Sequence, residues 1–403
     1  MDLRDLPRVV WALAAARFVS SASSFTMLFL TLYLTGPRDL GTTTAGLLAG
    51  SVGVGMLLGN FTGGRWGDRL GHRRVLLGAS SAAGLLLVVV PVVPVWVLAV
   101  LLPAQAYLAA TGSVSSGALS ALAVPRGQRR TSVAVGRAAS NAGFVLGPPL
   151  GALLVTWSYE AMFVVDGLAI VLVRLALSRA LPREAVHTAT PAQAPGFVRT
   201  LRGDTSLLVL LVGVVLVDLV YRQLYSTLPL HLRDEGQPVW LYATVVAVGS
   251  GLILVLEIPV AQRLQRLGAL GIVATGYALV GLGTAMFGLP VSVGTVLAAM
   301  VVLTAGEILY KTTATAYVLD RAPDHLVGRY QGLYTGAATS GTLLAAPVGT
   351  AVYASAPELL WPLMGALALL AAAVVVAADR LSRRSPAATP RGSRGTAPTR
   401  RAG

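Results

Sequence analysis

The amino-acid sequence predicts an all-α membrane protein with twelve transmembrane helices arranged as two pseudo-symmetric six-helix bundles. Three observations carry this expectation. The chain is 55% hydrophobic and only 12% charged, with a mean hydropathy of +0.72, whereas soluble globular domains carry roughly 25% charged residues. Apolar runs of about 20 residues, the length a helix needs to cross roughly 30 Å of hydrocarbon, recur from end to end. Arginines gather in every second connection between those runs.

The runs fall near residues 9–34, 44–65, 74–93, 95–123, 131–156, 160–181, 205–232, 239–263, 269–289, 292–320, 328–353 and 358–378. Between the sixth and seventh lies Pro182 to Gly203, polar and holding Pro191 and Pro195. This is the one real linker, so the chain divides into an N-terminal bundle (1–182), a linker (183–203) and a C-terminal bundle (204–379). Residues 380–403 are rich in Ser, Pro, Gly and Arg and lack the apolar residues to pack, so they read as a disordered basic tail.

Arginine placement sets the orientation. Arg4 and Arg8 precede the first span; Arg126, Arg129 and Arg130 follow the fourth; Arg183, Arg199 and Arg202 lie in the linker. Arg263 and Arg266 end the eighth span, and Arg321 and Arg329 follow the tenth. The alternate connections hold little that is basic beyond Arg38 and Arg233, each beside an acid. The positive-inside rule therefore puts both termini and the linker in the cytoplasm, with the bundle in the plasma membrane. The formal charge of +14 is accounted for by this topology, and no nucleic-acid partner is expected. There is no Cys, which excludes disulfides, thiolate metal sites and cysteine nucleophiles. No cleavable signal peptide is expected, since the first apolar run is too long and no small-residue cleavage site ends it.

The halves echo each other at an offset of about 198 residues. Arg69-Leu70-Gly71 recurs as Arg266-Leu267-Gly268, Pro125 as Pro323, Arg130 as Arg329 and Pro148 as Pro347. Gln265 stands opposite Asp68, so the second half lacks that acid. A substrate site between two such repeats, near the bilayer midplane, is the arrangement of secondary transporters.

Between the second and third spans runs Gly63-Gly64-Arg65-Trp66-Gly67-Asp68-Arg69-Leu70-Gly71-His72-Arg73-Arg74. It is expected as a short loop, and it resembles the G-x-x-x-D-R-x-G-R-[RK] signature of the major facilitator superfamily. Gly64, Asp68, Arg69, Gly71, Arg73 and Arg74 fill the pattern, with His72 in place of the first basic residue. The resemblance implies the major facilitator fold and a gating role for this loop. It also implies that Asp68 helps to lock the cytoplasmic face against the start of the eleventh span, near Gly328, where a helix dipole favours an anion.

The fifth span carries Gly143-Phe144-Val145-Leu146-Gly147-Pro148-Pro149-Leu150-Gly151. Gly143, Gly147, Pro148 and Gly151 resemble the G-x-x-x-G-P-x-x-G pattern of the drug:proton antiporter branches. The same residues would also serve plain helix packing, because small residues one turn apart let backbones approach and proline bends a helix. Those branches usually carry an arginine in the fourth span, but Leu102-Pro103-Ala104-Gln105-Ala106-Tyr107-Leu108 has no basic residue. Gly53-Val54-Gly55-Met56-Leu57-Leu58-Gly59 superficially resembles a dinucleotide fingerprint. No strand precedes it and no ribose-binding acid follows, so close helix packing is the better account. No phosphate loop is present to support ATP-driven transport.

A charge at the centre of a span costs roughly 2.5–3.5 kcal/mol on insertion scales, so buried charges imply partners, water or function. Arg17 lies in the first span, Asp218 and Arg222 in the seventh, Glu307 and Lys311 in the tenth. The last two pairs are spaced i,i+4, where each can neutralise itself. The resemblance places the first, fourth, seventh and tenth spans around the central cavity. Lys311 is the only lysine. Glu257 and Asp166 are expected to pair with a neighbouring polar group or face interfacial water. Tyr33, Tyr107, Tyr221, Tyr225 and Tyr310 fall on the same four spans as candidates for substrate contact or for packing. The histidines His72, His187, His231 and His325 lie in loops or at helix ends, so carboxylates must carry any proton.

The resulting expectation is a monomeric, proton-coupled exporter of small amphipathic organic molecules such as drugs or secondary metabolites. It works by alternating access and uses no cofactor or metal. A proton-coupled importer of a sugar, peptide or organic anion is the alternative within the same fold, and a membrane-embedded enzyme or a receptor the alternative outside it.

Overall fold

The computed structural model describes residues 3–24, 26–182 and 197–384. Most of the linker (183–196) and the end of the tail (385–403) therefore lie outside the described residues. The N-terminal half comprises α1 (Arg8–Ala22), α2 (Thr26–Thr35), α3 (Thr42–Leu70), α4 (His72–Val89), α5 (Val95–Leu122), α6 (Arg129–Val155) and α7 (Tyr159–Ala180). A short α8 (Phe197–Arg202) precedes the C-terminal half. That half holds α9 (Thr205–Tyr221), α10 (Gln223–Ser226), α11 (Leu228–Asp234), α12 (Val239–Arg263), α13 (Ala269–Met286), α14 (Val293–Arg321), α15 (Val327–Ser355) and α16 (Pro357–Arg384).

Counting α1–α2 and α9–α10–α11 as one column each, twelve helical columns form the two halves among the described residues. Ten helices among the described residues are long and apolar enough to cross a membrane. The exceptions are the broken α1–α2 column, whose pieces are too short, and α15, which is rich in Gly, Ser and Thr. Both breaks lie well inside their columns, where freed backbone groups must find partners within the protein. Gln223 supplies them at the second break. Its Nε2 donates to the carbonyls of Leu219 (3.1 Å) and Ala345 (2.9 Å), and its Oε1 accepts from the Thr227 hydroxyl. Near the first break the Thr26 hydroxyl donates to buried Asp166.

Small residues hold the helices together, as expected where lipid is as apolar as the protein and close contact is the main attraction. Gly55, Gly59 and Gly63, one turn apart on α3, face Pro103, Tyr107 and Thr111 of α5, and a Cβ on any of them would overlap that helix. The glycine run from Gly53 to Gly59 is thus packing surface. Gly84 of α4 and Gly167 of α7 meet in the same way, as do Gly276 of α13 and Gly306 of α14. Helix starts are capped: Ser158 accepts from the amides of Glu160 and Ala161, Asp204 accepts from Leu207, and Ser292 forms a reciprocal box with Thr295. Such a cap stabilises a helix by about 1 kcal/mol.

Exposed leucines and valines cover the outer surface, including Leu47, Leu58, Val100 and Val255. Exposed tryptophans mark both rims of this apolar belt: Trp96, Trp157 and Trp240 at one, Trp11 and Trp66 at the other. The second rim, which carries the α3–α4, α5–α6, α12–α13 and α14–α15 connections, is called the motif end below.

Two boundaries differ from the sequence expectation. The run from Gly63 to Leu70 is the last turns of α3 rather than a loop, and the connection to α4 is the single residue Gly71, at φ +91°. Only glycine adopts such a conformation without strain. The last helix continues to Arg384, so residues 380–384, expected in the tail, extend α16 instead.

Candidate functional site

Between the halves lies a cavity of about 570 Å³, within the roughly 300–1,000 Å³ of small-molecule sites. The N-terminal half contributes α1, α4, α5, α6 and α7 to its wall, and the C-terminal half α9, α14 and α15. Of the residues singled out from sequence, Arg17, Asp218, Arg222 and Lys311 line it. Glu307 is buried one layer behind Lys311. Two further cations on the wall, Arg137 of α6 and Arg174 of α7, are not singled out by sequence reasoning, which looks for charges on the four spans the resemblance makes cavity-lining. The signal was present, since an arginine inside an apolar span needs a partner wherever it lies.

The five tyrosines are placed elsewhere. Tyr33 packs on Phe163, Tyr107 bonds Trp66 and Thr62, Tyr310 is buried against Tyr277, and Tyr221 and Tyr225 contact each other. Tyr334 of α15 is the tyrosine on the cavity wall among the described residues. The rest of the surface is mostly serine, threonine and asparagine.

A chain of charges joins the halves beneath the cavity. Arg137 Nε lies 2.9 Å from Glu257 Oε1, and its Nη2 is 3.3 Å from both Glu257 Oε2 and Glu307 Oε1. Glu257, fully buried, also accepts from the Thr312 hydroxyl. Lys311 Nζ is 3.2 Å from Glu307 Oε1 and 3.9 Å from Asp218 Oδ1, and it sits 3.7 Å over the Tyr221 ring. Tyr310 donates to Asp218 at 3.3 Å. The i,i+4 pair Glu307–Lys311 therefore forms, whereas Asp218–Arg222 does not. The Arg222 amide still bonds the Asp218 carbonyl at 3.0 Å, but the Arg222 side chain turns to α15 and donates to Thr342 Oγ1 at 3.1 Å, while Asp218 faces Lys311. Two acceptor oxygens, Glu307 Oε2 and Asp218 Oδ2, are buried without a partner.

Toward the motif end the halves close. Asp68 accepts from the amides of Gly328 (2.9 Å) and Arg329 (3.1 Å) in the first turn of α15, with His72 Nε2 at 3.3 Å and Arg329 Nε at 3.6 Å. A carboxylate there meets unsatisfied N–H groups at the positive end of the helix dipole. Gly64 lies so close to Gly328 that a Cβ on either would overlap the other backbone. Arg73 donates to the Ser178 carbonyl at 2.7 Å, within its own half. Arg74 is exposed, and exposed Arg69 joins Arg65, Arg199 and Arg329 around a second hollow. The pseudo-twofold partner of this contact uses other chemistry. Gln265 donates to the Thr131 hydroxyl and Arg130 to the Leu264 carbonyl. Arg129, buried, bonds the Leu319 carbonyl and lies 3.8 Å from both Asp320 and Asp324.

Gly143 and Gly147 of α6 face α1. Gly143 abuts the Phe18 carbonyl and Ala22, Gly147 lies against Ser21 and Ala22, and Gly151 is buried. Gly143 and Gly147 thus pack at the end of α1, where the first column breaks. For Pro148 only the helical backbone is described.

Twelve helical columns in two like halves, a polar cavity between them and a charged closure at one end define a multi-pass membrane transporter. The family description of the Major Facilitator Superfamily matches residues 13–346, and the chain belongs to that superfamily of secondary transporters; it is not an enzyme. It is 26% identical over 343 residues to an uncharacterized MFS-type transporter, YqjV, of Bacillus subtilis (strain 168), covering 82% of each chain. Among solved structures, the human organic anion transporter MFSD10 (TETRAN) aligns with a TM-score of 0.75 at 16% identity, over 91% of this chain and 99% of the other. A bacterial homologue of the iron transporter ferroportin, in an outward-facing state, aligns with a TM-score of 0.74 at 18% identity, over 93% and 100%. At these identities the likeness shows the fold alone.

Proposed function

We propose that this chain is a proton-coupled antiporter that exports small organic molecules across the plasma membrane by alternating access, working as a monomer with cytoplasmic termini. The observation that carries the coupling is Arg137 of one half held by Glu257 and Glu307 of the other. To open the motif end, the halves must part and this tie must break. Leaving ions unpaired in the interior is costly, so the tie holds while both carboxylates are charged. A proton on Glu307 removes one of the two charges that hold Arg137 and the nearer of the two that hold Lys311. Release of that proton toward the cytoplasm restores the tie. Asp68 on the first turn of α15 adds a second latch, in line with the gating role the motif resemblance implies. In this reading the motif end is cytoplasmic, the cavity faces outward, and Arg137 is broken and remade once per cycle.

Export is supported by Gly143, Gly147 and Gly151, which match the antiporter-type pattern, and the first two let α6 lie close along α1 at its break. The lack of a basic residue between Leu102 and Leu108 favours the second reading, proton symport into the cell. Reconstitution separates the two. In proteoliposomes preloaded with a labelled solute mixture, antiport moves solute against an inward-driving proton gradient, and symport moves it with that gradient. Flux that ignores the gradient and persists with a protonophore would remove proton coupling.

A further inference from the structure

We propose that the transported solute carries a carboxylate or phosphate group, bound by Arg17 and Arg174 on the N-terminal wall of the cavity. This rests on the transport reading above and adds the substrate class to it.

Among the described residues, five cations, Arg17, Arg137, Arg174, Arg222 and Lys311, line the cavity, and the carboxylates in or behind its wall are three: Asp218, Glu257 and Glu307. All three acids stand on the C-terminal half, where Arg137 and Lys311 hold them. Arg17 and Arg174 have no carboxylate within ion-pair distance among the described residues. Arg174 donates to Ser20 Oγ at 3.0 Å, and its Nε is buried without a partner. Ser20 lies one turn from Arg17 on α1, so the two guanidinium groups share one face of the wall. Gly136, next to Arg137 on α6, leaves room for the Arg17 guanidinium, and a Cβ there would come within 3.0 Å of its Nη1. Asp166, further along α7, is taken up by Thr26.

Arg137 shows how this protein neutralises a buried arginine: its Nε and Nη2 meet carboxylates. Arg17 and Arg174 are left open toward a cavity instead. Two like charges held together out of bulk water need a counter-charge, and a guanidinium's fork of N–H donors matches the paired oxygens of a carboxylate or phosphate. Around them Ser24, Ser113, Ser116 and Ser140 offer hydroxyls to the remainder of a polar solute. A lone inorganic anion would leave most of the 570 Å³ unfilled, so an organic anion is the better fit. With the solute bound at Arg17 and Arg174, and the proton carried on Glu307, the two cargoes use separate groups in one cavity.

The test is equilibrium binding to the purified full-length protein. The probes are labelled benzoate, citrate and glucose 6-phosphate, the neutral counterparts benzamide and glucose, and the cation tetraphenylphosphonium. At least one anion is expected to bind about tenfold or more tightly than its neutral counterpart, and to weaken as salt is raised. Arg17→Gln and Arg174→Gln should each weaken that binding about tenfold, with Arg17→Lys recovering part of it. Comparing anion with neutral probe on the wild-type protein needs no variant, so a misfolded substitution does not blunt the test. Absence of anion binding across the panel, preference for the neutral or cationic probes, or anion binding indifferent to both well-folded Gln substitutions would each overturn the proposal. Gradient-driven flux of a neutral or cationic solute without anion binding would leave proton coupling standing and remove only the substrate class. Anion binding without any gradient-driven flux would do the reverse.

Discussion

Arg137 Nε sits 2.9 Å from Glu257 Oε1, a charged hydrogen bond between the two halves of the molecule with the carboxylate fully buried. One guanidinium thereby ties α6 to both α12 and α14. Removing a single partner of such a pair strands the other, which typically costs about 3–5 kcal/mol, whereas removing both is far milder. Arg137→Met is therefore expected to lower the thermal midpoint of the detergent-purified protein markedly. Arg137→Met combined with Glu257→Gln should recover much of the loss. A double variant no more stable than the single would mean that the pair contributes little to the closed state.

Asp68 is expected to bear on turnover more than on folding. Its two oxygens meet amides at the start of α15, a contact that the proposed opening of the motif end would have to give up. Asp68→Asn is expected to reach the membrane at near-normal levels and to lose most of its transport. Wild-type flux from a well-expressed Asp68→Asn protein would reduce the motif to a topology signal.

The absence of cysteine gives a direct test of movement at the motif end. Thr131 and Gln265 touch across the halves. A Thr131→Cys, Gln265→Cys protein should be joined by a short bis-methanethiosulfonate cross-linker, stop transporting, and recover when the link is reduced. Undiminished flux from the fully cross-linked protein would show that the halves need not separate there.

Topology is testable in the same simple way. Reporter fusions at Arg202 and at Asp234, on either side of the seventh column, should give opposite readouts, cytoplasmic at Arg202. Matching readouts would contradict the orientation assigned from the arginines.

The fold was readable because a membrane span is written in a single repeated property, apolarity over about 20 residues. Gly64, Asp68 and Gly71 were readable because a local pattern holds them together. The breaks after Ala22 and Tyr221 were not, since both fall inside apolar runs whose continuity says nothing about where the backbone departs from helix. Arg137, Arg174 and Glu257 show the other limit. Their partners lie on distant segments: Glu257 is 120 residues from Arg137, and Ser20 is 154 from Arg174. Periodicity along one helix finds the Glu307–Lys311 pair, but it is blind to a bond between halves. It also wrongly pairs Asp218 with Arg222, because the partners that each takes instead, Lys311 and Tyr310 for the acid and Thr342 for the arginine, lie on other helices.

Glu307 stands at the centre of the account, touching Arg137 of one half and Lys311 of its own. The decisive measurement compares gradient-driven accumulation with gradient-free exchange for Glu307→Gln in proteoliposomes. Glutamine keeps the shape and removes the proton site. The variant is expected to fold and to exchange labelled solute across the bilayer at equal pH, yet to accumulate none when a pH gradient is imposed. Uphill, gradient-driven accumulation by the Glu307→Gln protein would contradict the assignment of Glu307 as the coupling carboxylate.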